Sequence, residues 1–199
     1  MKHCILIGML LILASCTTNV IVEGAVPTPL VEKMPVKVAI YYDESFKNFV
    51  HSQSLNDEGK WEIELGKQNL LFFRNLMEAM FETVLEVESP DIHASDEVQF
   101  DGILIPRIEK YGFLTPNISG LNFFSASIHY RLILLSNENK KLTDYAVVGY
   151  GKSEPGTFSA GSALGQATML AIRDGGTRIS TEFKLVPAVS QWLSEKGGD

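Results

Sequence analysis

Residues 123–135 constrain the fold more than any other stretch of this chain. Phe124, Ala126, Ile128, Tyr130, Leu132 and Leu134 fall on one side of an extended backbone. Ser125, Ser127, His129 and Arg131 fall on the other. Apolar and polar residues alternating at period two specify a strand with one buried and one wet face. Ser136-Asn137-Glu138-Asn139 then turns the chain, and residues 142–150 return as the partner strand. A long antiparallel hairpin with one wet face belongs to a domain whose other elements cover the apolar side.

The remaining segments supply that cover. Residues 36–42 are β-branched and aromatic and read as an opening strand, with Val36, Val38, Ile40 and Tyr42 on one face. Residues 45–50 fit a helical turn or a short strand. Asn56-Asp57-Glu58-Gly59 marks a turn, followed by a strand over 61–65. Leu70, Phe73, Leu76, Met77, Met80, Phe81 and Val84 recur at helical spacing and predict a helix over 67–85. A polar loop over 91–97 leads to a strand over 98–113, where Pro106 removes a ladder donor and predicts an edge or a bulge. After a Gly/Ser/Pro-rich loop at 151–161, a second long helix carries Leu164, Ala167, Leu170, Ala171, Ile179 and Phe183. Gly175-Gly176 weakens that helix and lets it lie close to the sheet. Pro187 opens a short last helix with Val189, Trp192 and Leu193 on its apolar side. The expected architecture is a single α+β domain over 36–196. It has a mainly antiparallel sheet of four to five strands and two main helices packed on one face.

The first residues are of another kind. Met1-Lys2-His3 is followed by an apolar run from Ile5 to Leu13, then Ala14-Ser15-Cys16. A basic start, a short apolar run and small residues before a cut site make a secretory signal. The run is shorter than the roughly 20 residues a spanning helix needs. Leu13-Ala14-Ser15-Cys16 resembles the lipobox of bacterial lipoproteins. The resemblance implies a signal peptide over 1–15, cleavage after Ser15 and acylation of Cys16. Thr17, rather than Asp, follows Cys16 and by the same analogy implies the periplasmic face of the outer membrane. Residues 17–35, with Pro27, Pro29 and Pro35, read as a flexible tether. Such a tether would reach about 60 Å extended and about 25 Å as a coil.

Composition then removes several classes of function. Of 17 basic residues only Lys2 lies in the leader, so the mature chain holds 16 basic against 24 acidic side chains, a balance of -8. Such a chain lacks the basic face that nucleic acid demands. Cys4 leaves with the leader and Cys16 is acylated, so no free thiol remains for a disulfide, a metal site or a nucleophile. His51, His93 and His129 lie far apart, and neither a metal nor another cofactor is expected. Residues 146–153 formally match a relaxed phosphate-loop pattern, but they lie on the return strand of the hairpin. No Gly-x-Ser-x-Gly elbow is present. His129, Arg131 and Glu109 are the polar residues from which acid–base chemistry would have to be built.

One loop is out of character. Between 112 and 124 the chain holds Phe113, Leu114, Ile118, Leu121, Phe123 and Phe124 around Pro116 and two glycines. An apolar loop must tuck under its own domain or bury itself against a partner. These six residues are the candidate partner-binding or self-association surface.

The order of elements behind a lipobox resembles a broad group of small envelope lipoproteins: YajG-like proteins, LpoB, CsgG and the auxiliary lipoproteins of ABC transporters. The resemblance is carried by the 36–42 strand, the 67–85 helix, the 123–150 hairpin and the C-terminal helix. It implies a non-enzymatic accessory protein of an envelope transport or assembly system, held to the membrane through Cys16 and working on a protein partner. An envelope hydrolase using His129 with a nearby carboxylate is the alternative from another class. A carrier of a lipid or other apolar ligand is the third.

Overall fold

The structure, a computed structural model, describes residues 17–91, 99–155 and 159–196. The leader, Cys16, His93 and most of the polar loop expected at 91–97 lie outside the described residues. In chain order the elements are β1 (Thr17–Ile21), β2 (Met34–Tyr41), α1 (Glu44–Lys47), β3 (Val50–Leu55), β4 (Gly59–Glu64), α2 (Gly66–Met80) and β5 (Phe81–Val87). They continue with β6 (Gly102–Leu114), α3 (Pro116–Ser119), β7 (Phe124–Ser136), β8 (Lys141–Ser153) and α4 (Ala160–Glu182). A 3-10 turn at Phe183–Leu185 and α5 (Pro187–Lys196) complete it.

The strands form two sheets where one was expected. The larger has the order β5-β2-β6-β7-β8, the smaller β1-β4-β3. Both are mixed. β2 runs parallel to β5 and β6, and β1 runs parallel to β4. The hairpins β3–β4, β6–β7 and β7–β8 are antiparallel. The expected mainly antiparallel sheet is therefore corrected. Half-buried strands show the same period-two pattern in either pairing, so sequence alternation does not reveal that β2 sits between two strands contributed by later parts of the chain.

The hairpin itself is as its alternation requires. Phe124, Ala126, Ile128, Tyr130, Leu132 and Leu134 are all buried, and β7 pairs with β6 and β8 along its whole length. α2 and α4 both lie beneath this face. The ring of Phe73 from α2 meets Tyr130 edge-on at 5.0 Å, and the Tyr130 hydroxyl donates to Asn69 Oδ1. A Cβ on Gly149 would sit 2.0 Å from the Ala171 carbonyl oxygen, and one on Gly151 2.1 Å from that of Ala167. α4 thus rests directly on the backbone of β8, which only glycine permits. Gly175 approaches the Tyr130 ring in the same way. Ser159 caps α4 by accepting from the Ser162 amide.

Pro106 sits where β6 has lost a neighbour. β2 pairs with β6 from Val38↔Gly102 to Ile40↔Leu104 and no further, so the ring faces no strand on that side. The register slips between Ile108 and Lys110, leaving Glu109 as an extra residue.

Two expectations fail. The helix predicted over 67–85 ends at Met80, and Phe81–Val87 is the edge strand β5. Phe81 and Val84 continue the helical spacing, but Phe81-Glu-Thr-Val-Leu-Glu-Val also suits an extended chain. Parallel pairing with β2, from Met34↔Phe81 to Tyr41↔Val87, prevails there. An ion pair from Arg74 to Glu86, with both bonds at 2.8 Å, ties α2 to β5.

The stretch expected as a tether is structural. Thr17 to Ile21 pair with Lys60 to Glu64, and Val20 and Val22 are buried at 3% exposure. Beyond β1 the chain follows α4. Gly24 packs on Met169, the Gly24 carbonyl accepts from Gln68, and Arg173 Nη2 donates to Ala25 O at 2.7 Å. The prolines that read as linker chemistry instead stiffen an extended segment laid across the core.

Candidate functional site

The two faces of the large sheet differ. One is covered by α2, α4 and the small sheet. At the β6–β7–β8 end, the other presents Val148 and Tyr150, 44% and 53% exposed. The pairings set out a grid on this open face. Lys110, His129 and Val148 form one row, Gly112, Ser127 and Tyr150 the next, and Leu114, Ser125 and Lys152 the third. Small residues in the middle column and Gly112 leave a floor without bulk. Lys110, His129, Tyr150 and Leu114 wall a shallow cleft of about 280 Å³ over it. Ligand pockets usually hold about 300–1,000 Å³ and enclose most of their guest. This one suits a protruding side chain of a partner.

Beside the cleft is a charged node. Arg131 binds Glu109 with both ends of its fork, Nε to Oε1 and Nη2 to Oε2 at 3.0 Å. Its Nη1 donates to Asp144 Oδ1, and Lys141 donates to Asp144 Oδ2. The extra residue at the bulge is what swings Glu109 towards Arg131. The Arg131 bond holds the Glu109 carboxyl below the usual range. Bonds from Lys141 and then Arg131 do the same for Asp144. Arg131 is in turn held charged, chiefly by Glu109. Carboxylates fixed in the ionised form by a fork-like pair position neighbouring strands. A general acid or base needs a pKa near the working pH instead. Glu109 is thus engaged by Arg131, not free to orient His129.

The six apolar residues of the 112–124 stretch divide. Phe113 and Phe124 are buried at 6% and 4% exposure, and Phe113 packs on Trp61 at 5.6 Å between ring centres. As surface residues these two are corrected: they are on the inward parity of β6 and β7. Leu114 is 45% exposed and closes the foot of the cleft. Ile118 and Leu121 are exposed on and just after α3. Phe123 is half-buried beneath the Lys152 ammonium, 5.4 Å from the ring centre. Residues 151–153 of the phosphate-loop match belong to β8. The cleft residues that sequence reasoning missed are Tyr150, Lys110 and Ser127, together with Val148 beside the cleft. Only the register against β7 assigns β8 its faces, because glycines at 149 and 151 blur its apolar alternation.

The chain matches no family model and no curated protein. Solved structures do resemble it. A Xanthomonas campestris protein of the DUF330 family aligns at 12% identity and a TM-score of 0.48, covering 92% of this chain and 99% of that one. A Helicobacter pylori homologue of neuraminyllactose-binding hemagglutinin aligns at 10% identity and 0.47, covering 92% and 100%. The Neisseria meningitidis lipoprotein GNA1162 aligns at 14% identity and 0.35, covering 70% and 99%. Likenesses this distant transfer neither a site residue nor an activity. Among the described residues no helix is long and apolar enough to cross a membrane. Nor do three His, Cys, Asp or Glu side chains among them gather closely enough to hold a metal ion.

Proposed function

We propose that this chain is a lipid-anchored, non-enzymatic accessory protein of a bacterial envelope transport or assembly system. It is held by acylated Cys16 at the periplasmic face of the outer membrane and binds a protein partner through the open face of β6–β7–β8. The anchor rests on Leu13-Ala14-Ser15-Cys16. The docking face rests on one observation: Tyr150 and Val148 stand half exposed beside a side-chain-sized cleft, on the face of the hairpin opposite α4. Tyrosine on a rigid strand is well suited to anchoring an interface, being large, amphipathic and low in conformational entropy. The Arg131 node keeps β6, β7 and β8 in fixed relation beneath it. The hydrolase alternative is less favoured because Glu109 is bonded to Arg131.

A photo-crosslinking residue at position 150 in intact cells of the native host is expected to trap a specific envelope protein. The same residue at position 185, exposed on the 3-10 turn, is expected to trap none of it. Tyr150→Asp is expected to abolish co-purification of that protein while leaving the fold intact. An identical set of adducts at 150 and 185 would remove this face from consideration.

A further inference from the structure

We propose that the α3 end of the domain is seated in the surface layer of the lipid bilayer, with Ile118 and Leu121 inserted and Phe123 at the boundary. The proposal rests on the reading that Cys16 is acylated, and adds to it where the body lies relative to its anchor.

The anchor has no slack. Thr17, the next residue after Cys16, is already the first residue of β1, paired with Lys60. Consecutive Cα atoms are about 3.8 Å apart, so acyl chains on Cys16 fix which end of the domain meets the lipid. That end can be traced residue by residue. Lys60 follows the β3–β4 turn, and Glu58 in this turn accepts from Thr115 Oγ1 at 2.5 Å. Thr115 caps α3, which carries Ile118. On the other flank Thr18, Asn19 and Val20 lie against Gly161 in the first turn of α4. Ser153, at the end of β8, bonds the Ala163 carbonyl and pairs with Phe124. Thr17, the β3–β4 turn, α3, Phe123 and the start of α4 therefore form one end of the molecule.

On that end Ile118 is 47% and Leu121 53% exposed. Ile118 projects from the single turn of α3, and Leu121 follows directly on Gly120, which closes that turn in the left-handed conformation, φ 68°. The charges around them, Asp57, Glu58 and Glu154 against Lys60 and Lys152, are of both signs. Among the described residues there, no basic cluster favours anionic headgroups, so the attraction is apolar and indifferent to lipid charge. α4, 23 residues long, leads away from this end, about 35 Å at 1.5 Å per residue. The chain after Thr17 runs alongside α4 in the same direction, with Val20 beside Gly161, Gly24 beside Met169 and Ala25 bonded by Arg173. The cleft, with Leu114 at its foot one residue before the Thr115 cap, begins just above this end.

The chain offers a clean probe, since its two cysteines are Cys4, in the leader, and Cys16. Leu121→Cys, and as a control Asn137→Cys in the β7–β8 turn at the opposite end, are labelled with an environment-sensitive fluorophore on the full acylated protein. The protein is reconstituted in phosphatidylcholine vesicles, and separately in phosphatidylethanolamine–phosphatidylglycerol vesicles. The label at 121 is expected to shift to the blue and to be quenched about two-fold or more by doxyl-labelled lipid, as befits side chains lying about 5–10 Å deep. The effect should be equal in both lipids, and the label at 137 should stay aqueous. Acylated Cys16 by mass spectrometry with an aqueous label at 121 overturns this proposal alone. A mature chain with unmodified Cys16 from the native host overturns both it and the anchoring on which it rests.

Discussion

Replacing Gly149 with alanine separates two accounts of the C-terminal half, because they predict opposite signs. By strand propensity alone, alanine in place of glycine stabilises β8. In the folded protein the new methyl carbon would lie 2.0 Å from the Ala171 carbonyl oxygen and 2.6 Å from the Gly175 nitrogen. Ordinary contact begins near 3.4 Å, so α4 must retreat by about 3.4 − 2.0 = 1.4 Å. These obstacles are helix backbone, which has no rotamer to yield. Retreat also loosens the Tyr111–Thr168 hydroxyl pair, now at 2.7 Å, and the seat of Gly175 on Tyr130. Overpacking usually costs about 1–3 kcal/mol, and a backbone obstacle puts this site at the upper end. For a domain of this size that lowers Tm by about 6–12 °C. The internal control is Gly165→Ala in the same helix, where a Cβ meets Val20 at 3.7 Å and Ile21 O at 3.8 Å, both ordinary contacts. It should gain about 1 kcal/mol from helix propensity and raise Tm by about 2–4 °C. Thermal unfolding followed by circular dichroism reads both. A Gly149→Ala protein as stable as the parent would mean that α4 does not lie on β8, and the layer described above would be wrong.

Further expectations are simpler. Val20→Ala should cost about 1.5–2.5 kcal/mol in urea unfolding, whereas a flexible tether would leave the midpoint unmoved. Tyr130→Phe strips Asn69 Oδ1 of its donor in a buried site and should cost about 1–3 kcal/mol in the same assay. Burial raises the hydroxyl pKa of Tyr111 and Tyr130 well above the ordinary value of 10.0, so both stay protonated in the native state while the unfolded chain releases its protons. Each then removes about 1.4 kcal/mol of stability per pH unit above 10. Burial, followed by the Glu182 carboxylate, pushes Tyr145 up to about 12, so its contribution is present below pH 10 and fades between 10 and 12. Tyrosinate absorbance of the native protein should therefore lag that of the unfolded chain, and coincident titrations would refute the burial assigned to these rings.

Much of the architecture was legible residue by residue. The alternation of 124–134 determined a two-faced strand, Asn56–Gly59 determined a turn before a strand, and Pro187 with Val189 and Trp192 determined the last helix. Each of these signals is local, arising from backbone sterics and from the faces that successive side chains present. The four residues ending in Cys16 and the scarcity of cysteine likewise needed no coordinates to read. Tertiary structure alone decided that Phe81–Val87 is a strand and that Val20 and Val22 belong to the core. It also decided that Phe113 points inward while Tyr150 points out. In each case the local pattern allowed two conformations or two faces of nearly equal energy. Register against a neighbouring strand, β2 for β5, β4 for β1 and β7 for β6 and β8, supplied the difference, and a chain read in order carries no record of which residue lies opposite which.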